Sequence, residues 1–542
     1  MKPLSHVITL LLAFANAGRA EVASAERSLV PEKPGATPDY FCTWNVQGFA
    51  CSYSGPSPQA DAMVEANLFG KSANQGWLDF YPEVRGDLIF LLDDACDFPI
   101  GGGRDAPQRG SVELDATRFP SFTGTPAERL EKLNRAVQAR GWRGLGIWIC
   151  NSRNRLPGQE KIESDDYWKE RLEWSQKAGV LYWKVDWGIG ERGRPLWKFR
   201  MTPQVYTVAP DVWIEFASGI EPDVYRTYDV GVTVSISETI RRIGEFLNKR
   251  DEKDRRLINC EDEVFIGAAL GCHYGIMRHP LHDPMPNEKP DHVFPVGYRD
   301  LKHRMDEITR AVRWHRLAQP FAKDSTAIVD TQMLTDFKCK PAPARIARGG
   351  IVLPEVKMPD AGEPPFVVCA RHPEGEIAIT TAARKLEANG KPKLVFPLAD
   401  VAIDAGDFTR PIGIFGEYAS LTLLTPADLV GKRILAQDLA GNTPVDITSE
   451  VQFIPRRVSE RRLIISPKLK ELGPGASGVG YDLGGKILSE GRLVIPGAVL
   501  RRVGLMNAKP GDVSDPGLVL GAEGITKFEA KPPMKPRVVA HD

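Results

Sequence analysis

The sequence predicts an α/β fold, a closed (β/α)8 TIM barrel, followed by a C-terminal antiparallel β-sandwich domain. Three observations point there. Short apolar strands alternate with amphipathic helices at roughly 35-residue spacing between about residues 38 and 330, the pattern of parallel strands joined by right-handed crossovers. Two of those strands end on carboxylates rather than on glycine-rich phosphate loops, which favours a barrel over an open doubly wound sheet. They are Asp87-Leu-Ile-Phe-Leu-Leu-Asp-Asp-Ala95 and Ala178-Gly-Val-Leu-Tyr-Trp-Lys-Val-Asp-Trp-Gly188. Beyond about residue 340 the helical period fades into short β-rich runs punctuated by glycine and proline.

Residues 1–25 read as an export signal: Lys2, the apolar run Val7-Ile-Thr-Leu-Leu-Leu-Ala-Phe14, then small-residue cleavage sites at Ala15-Asn-Ala17 or Ala23-Ser-Ala25. That run is too short to span a bilayer, and a disordered leader is the other reading of the stretch. The barrel is expected over residues 38–335, with clear strands at Leu88–Leu92, Leu145–Ile149, Val180–Val185 and Val212–Phe216 and a weaker one at Leu257–Asn259. Between the first two, Thr125-Pro-Ala-Glu128 is a capping box with proline at the first helical position. Leu130, Leu133 and Val137 then mark one helix face, and Gly141 is the stop. The next helix has Ser164 as its cap, turns Trp168 and Leu172 inward and ends near Gly179. Pro341-Ala-Pro343 and Gly349-Gly350 mark a junction. The sandwich is expected over 345–526, with strands at Phe366–Ala370, Ile377–Thr381, Tyr418–Leu424, Arg462–Ile465 and Arg492–Ile495. The tail 527–542, containing Lys531-Pro-Pro-Met-Lys-Pro536, is expected to be loosely ordered.

At 542 residues the chain is too long for one ordinary core. Lysine plus arginine equal aspartate plus glutamate at 70 each, which argues against the basic face a nucleic-acid partner would need. The expectation is a secreted or periplasmic protein, with no membrane insertion once the signal is removed; the sequence leaves its oligomeric state open. Eight cysteines without a Cys-x-x-Cys pair make neither a disulfide scaffold nor a structural zinc site, although Cys42 and Cys51 could pair in an oxidising compartment. Six of the nine histidines fall between His273 and His315, including His279-Pro-Leu-His282. The flanking prolines make that segment a loop and no His-Glu-x-x-His helix is present, so no metal site is expected. A metallohydrolase using this segment is the weakest of the functional readings.

The strand-tip acids suit glycoside hydrolysis, in which retaining enzymes set two carboxyl groups about 5 Å apart across the scissile bond. Asp186 is the expected nucleophile. Lys184, two residues back, points to the same side of the strand, where it would favour ionised Asp186 or reach a sugar hydroxyl; a buried Lys–Asp ion pair is the bland alternative. For the acid/base the choice is Asp229 in Tyr225-Arg-Thr-Tyr-Asp-Val230, with Arg226 to orient it. The same aspartate could simply be a turn residue before Val230–Ser235, and Asp223 and Glu221 are rivals, whereas Glu238 fits the first turn of a helix. Asp93 and Asp94 are candidates for binding hydroxyls. Trp44, Trp148, Trp187 and Trp213 are available as walls for a sugar ring, or as packing. Glu215, inside the apolar run Val212-Trp-Ile-Glu-Phe216, must be paired or face the site, because burying it alone is costly.

Together these segments resemble clan D glycoside hydrolases, the α-galactosidases of families 27 and 36. Thr43-Trp-Asn-Val-Gln-Gly-Phe49 resembles their opening Gly-Trp-Asn-Ser-Trp, and Leu92-Asp-Asp-Ala95 their Leu-Asp-Asp-Gly. Asp115-Ala-Thr-Arg-Phe-Pro120, Gly141–Ile149 and Trp183-Lys-Val-Asp186 are similar to later motifs in the same order, over roughly residues 40–280. The resemblance implies a retaining exo-glycosidase acting on α-galactoside-like bonds by double displacement, without metal or organic cofactor. Asp186 would attack the anomeric carbon and Asp229 serve as acid/base. Asp93 and Asp94 would bind O4 and O6, Lys184 the O3/O4 region, Glu215 the O2 side, and Arg226 O2 or the nucleophile. The substrate would be an oligosaccharide or glycoside. Three departures mark a divergent branch: Trp187-Gly188 after the nucleophile, a spacing from Arg226 to Asp229 one residue shorter than usual, and Asn259-Cys-Glu-Asp262 where Asp-Pro-Asp is common. The alternative is a non-catalytic carbohydrate-binding protein on the same scaffold.

Overall fold

The structure is a computed structural model. It describes residues 27–51, 56–70, 76–103, 106, 108–151, 165–188, 201, 204–216, 226–229, 240–241, 243–244, 264–281, 304–321, 327–330, 333–334, 342–388, 391–400, 401–455 and 491–535. The proposed export signal, the strands expected at Leu257–Asn259 and Arg462–Ile465, and Glu221, Asp223, Glu238, Glu261, Asp262 and His282 lie outside them.

The N-terminal half is built on β1 (Tyr40–Cys42), β2 (Ile89–Leu92), β3 (Gly144–Asn151), β4 (Tyr182–Gly188), β5 (Trp213–Phe216), β6 (Arg226–Asp229) and β7 (His273–Ile276), in the order β5-β4-β3-β2-β1-β7-β6. Every neighbouring pair is parallel. The closed eight-stranded barrel is therefore wrong. β7 pairs directly with β1, Tyr40 opposite Gly275, leaving no place for an eighth strand between them, and among the described residues no ladder joins β5 to β6. Strand-tip acids and 35-residue spacing are common to open and closed parallel sheets, so they do not count strands or seal an edge.

The sheet is nevertheless curled. The Tyr40 hydroxyl on β1 donates to Glu215 on β5 at 3.1 Å. In a flat sheet, strands four places apart would stand roughly 19 Å from one another. Period-2 alternation gives each strand two buried faces. Tyr40, Cys42, Ile89, Leu91, Trp148, Cys150, Tyr182 and Trp213 form the inner cluster, while Phe41, Phe90, Leu92, Ile147, Trp183 and Ile214 pack outward on the helices. Gly146 makes the curl possible on β3: a Cβ there would stand 3.1 Å from both Ile89 Cγ2 and Tyr182 Cβ.

Helix α1 (Trp44–Ala50) follows β1 directly. Helix α2 (Pro126–Ala139) starts as its sequence signs it: Thr125 N donates to Glu128 Oε2 at 2.9 Å, and Leu130, Leu133 and Val137 are buried. Helix α3 (Asp165–Ala178) turns Trp168 inward, edge-on to Trp183 of β4 at 6.3 Å. Among the described residues no helix is long and apolar enough to cross a membrane.

The C-terminal half is layered as expected but not antiparallel throughout. An eight-stranded and a five-stranded sheet enclose a second core that includes Ile377, Ile379, Val401, Ile403, Leu421 and Leu493. Both sheets are mixed: Arg345–Arg348 runs parallel to Phe366–Arg371, Ile377–Ala382 to Ile412–Phe415, and Asp400–Asp404 to Ser420–Thr425. Alternating apolar runs specify strands and faces, not the direction of a neighbour, so the purely antiparallel expectation had no support in the pattern itself. Helices α4 (Val264–Leu270) and α5 (Met305–Trp314) fill the space between this part and the parallel sheet. Phe265 packs on Phe415 with ring centroids 4.8 Å apart, and Arg310 of α5 makes a fully buried two-point bond with Asp438, at 2.9 and 3.3 Å. The tail, expected to be loose, is tied down as far as residue 535. Lys531 pairs with Glu374 at 2.7 Å and with Glu376, and Met534 packs against the inner cluster of the parallel sheet.

Candidate active site

Because all seven strands run the same way, their C-terminal tips share one end of the curled sheet. Asp93 and Asp94 follow β2, Asp186 lies near the end of β4, and Asp229 is the last residue of β6. Tyr182, Lys184 and Asp186 alternate onto the inner face of β4, and Lys184 lies opposite Trp148 on one side and Glu215 on the other.

Lys184 makes the ion pair that its position invited, but with a different carboxylate. Its Nζ stands 2.7 Å from Asp93 Oδ2 and 3.7 Å from Cys42 Sγ, with both charged groups almost wholly buried. Burial works against the ammonium, but the charge of Asp93, with a smaller pull from Asp186, outweighs it and holds Lys184 well above the usual lysine value. Burial and then Asp93 push the Cys42 thiol far up, so it stays protonated and donates to Asp93 Oδ2 at 2.9 Å. Asp93 is held from behind as well, its amide donating to Thr43 Oγ1 at 2.9 Å.

Asp94 is bound by a residue that sequence reasoning missed. Arg109 Nε donates to Asp94 Oδ1 at 2.8 Å and a terminal guanidinium nitrogen engages Oδ2, a buried two-point pair. The guanidinium carbon also lies 5.8 Å from the Trp148 ring centroid. Trp148, expected as a wall or as packing, donates its indole N–H to Asp186 Oδ2 at 3.0 Å. Asp186 is half-buried, and among the described residues nothing donates to its other oxygen. A carboxylate with one oxygen anchored and one presented is the geometry of an oriented nucleophile.

Glu215 is fully buried. Tyr182 donates its hydroxyl to Oε2 at 2.7 Å, and Tyr40 bridges both oxygens at 3.1 Å. The need for a partner was legible in the strand, and the partners are the inward residues of β1 and β4, which strand alternation identifies. Trp44 opens α1 and packs against the inner cluster. The side chains of Arg226 and Asp229 lie outside what is described; their strand pairs with β7, Arg226 opposite His273 and Asp229 opposite Ile276.

No disulfide joins Cys42 and Cys51: Cys42 turns into the site, while Cys51 donates to Gly48 O at the end of α1. His279 is buried with its ring centroid 5.1 Å from that of Phe49, and among the described residues no cluster of metal-ligating side chains occurs. No signal near Arg109 announced its partner, since the pair is made by a loop folding back over fifteen residues. The chain matches no protein-family model and no curated protein.

Proposed function

We propose that this protein is a retaining exo-glycosidase for α-galactoside-like substrates, with Asp186 as nucleophile and Asp229 as acid/base. The observation that carries the reading is Asp186 itself: a half-buried strand-tip carboxylate, anchored through one oxygen by Trp148, beside the paired carboxylates Asp93 and Asp94. In this reading one oxygen of Asp186 attacks the anomeric carbon as the leaving alkoxide takes a proton from Asp229. Water, deprotonated by Asp229, then releases the sugar and regenerates both groups. Lys184 and Arg109 pair with Asp93 and Asp94, so that the cluster offers both acceptors and donors to sugar hydroxyls, a dense polar array suited to a ring rich in hydroxyls. Family resemblance adds the choice of α-galactosides and rests on the short motifs alone.

A second reading, a non-catalytic carbohydrate-binding protein, draws on the full satisfaction of Glu215 by two tyrosines and of Asp94 by Arg109. Release of nitrophenol from nitrophenyl α-galactoside, with galactose binding measured by calorimetry, separates the two. Turnover abolished by Asp186→Asn supports the enzyme; galactose binding without turnover of any nitrophenyl glycoside replaces it with the binding protein.

A further inference from the structure

Asp97 is a buried carboxyl that the chemistry above does not use. It stands four residues beyond Asp93, past a backbone kink at Ala95, whose φ is +89°. Its Oδ2 accepts from the Val112 amide at 3.2 Å. Val112 is itself an anomaly, a β-branched residue with φ +69°, in the left-handed region that such side chains avoid. Gly110, at φ +79°, begins the same turn and lies so close to β3 that a Cβ would meet Cys150 O at 2.2 Å. A turn carrying a strained valine and pressed against a strand tip must be held by its surroundings. The residue entering that turn is Arg109, which grips Asp94 and lies over Trp148, the donor to Asp186.

We propose that Asp97 is a positioning residue: its carboxyl ties the Gly110–Val112 turn to the segment after β2, holding Gly110 against the end of β3, and so aims Arg109 at Asp94 and fixes how the site receives sugar hydroxyls. The last clause rests on the glycosidase reading; the clamp does not. Burial pushes the Asp97 carboxyl up to about 7, although the amides of Val112, Ser111 and Gly110 pull it down. The position thus accommodates a neutral acceptor, and asparagine, which accepts through its amide oxygen, is the conservative replacement.

Hydrogen exchange followed by mass spectrometry on the full chain tests the clamp without reference to activity. In the wild type the Val112 amide should exchange on the order of a hundredfold more slowly than an open loop amide. Asp97→Asn should keep that protection within a few-fold, and Asp97→Leu should lose at least about tenfold at residues 110–112 while β3 is unchanged. Loop-rate exchange in the wild type, or an unaltered turn in Asp97→Leu, overturns the proposal. Should Asp97→Leu fail to fold, the wild type and Asp97→Asn still decide it. With nitrophenyl α-galactoside, Asp97→Leu should raise KM at least about tenfold with a smaller change in kcat, and Asp97→Asn should restore KM. A KM left unchanged removes the role in sugar recognition. A wild type that neither binds nor hydrolyses glycosides sinks the functional reading while leaving the exchange result to stand alone.

Discussion

At the N-terminal end of the parallel sheet Asp39 and Asp87 are buried carboxylates, just as Asp93, Asp94 and Asp186 are gathered at the C-terminal end, yet the two sets are partnered differently. Asp39 takes His315 Nδ1 at 2.6 Å, Thr37 Oγ1 at 2.5 Å and the Tyr274 amide at 2.8 Å, and is fully buried. Asp87 takes a two-point bond from Arg316 at 2.9 and 2.7 Å and the Gly35 amide at 2.6 Å. Those contacts tie helix α5 and its following turn, the N-terminal segment and β7 to one end of the sheet. At the other end side chains supply most of the partners, with one amide, that of Asp94, donating to Asp93 Oδ1 at 2.9 Å, and Asp186 alone among these acids is half-exposed. Saturated acids lock elements together, whereas a half-buried acid with a spare oxygen can react.

The largest test of that contrast compares Asp186→Asn with Asp39→Asn. The first should cut turnover on the order of 10³-fold or more with the melting temperature little changed. The second should lower the melting temperature and leave kcat near the wild-type value at temperatures where the protein is folded. Equal effects on both properties would erase the distinction between the ends.

Acid stability sharpens it next. Burial drives His273 down to about 3, against the pull of Asp39, and burial does the same to His372. His372 sits as a neutral ring, accepting from Trp314 Nε1 at 3.4 Å with Nδ1 2.9 Å from Gln319 O. A depressed histidine binds fewer protons folded than unfolded between the two values, so its stability contribution is present above pH ~6.5 and is lost as the pH falls towards ~3. Denaturant midpoints measured from pH 7 to 4 should fall, and less steeply in His372→Asn; a flat profile in the wild type refutes this.

Removing one cation at each end is the third comparison. Lys184→Met strands Asp93 and Arg316→Met strands Asp87, each at a cost of roughly 3–5 kcal/mol in unfolding free energy. Only Lys184→Met should also weaken galactose binding. The smallest effect belongs to Trp148→Phe, which keeps the ring but loses about 1 kcal/mol of hydrogen bonding to Asp186. Its signature is a modest fall in kcat with KM little changed; an unaltered kcat removes Trp148 from the mechanism.

Much of this was legible along the chain and some of it was not. The capping box at Thr125 and the inward faces of Trp168 and Leu172 appear where short-range rules put them, because helix caps and the 3.6-residue period are properties of local backbone geometry. Strand alternation likewise put Lys184 and Asp186 on one face of β4 and demanded a partner for Glu215. The same rules misjudged the barrel, because spacing says nothing about whether β7 pairs with β1 or with another strand. They left Cys42 and Cys51 as a possible bridge, although one points into the sheet and the other lies at a helix end.

By itself, then, the sequence determined four strands of the parallel sheet and the two helices between them, which of their side chains share a face, and that acids stand at the tips of β2 and β4. Only the tertiary structure decided that Lys184 holds Asp93, that Arg109 holds Asp94, and that no ladder among the described residues joins β5 to β6. The bond between Lys184 and Asp93 spans 91 positions and that between Tyr40 and Glu215 spans 175. Such partners meet only when the sheet curls, and curl is a collective result of packing two buried faces rather than a property of any segment.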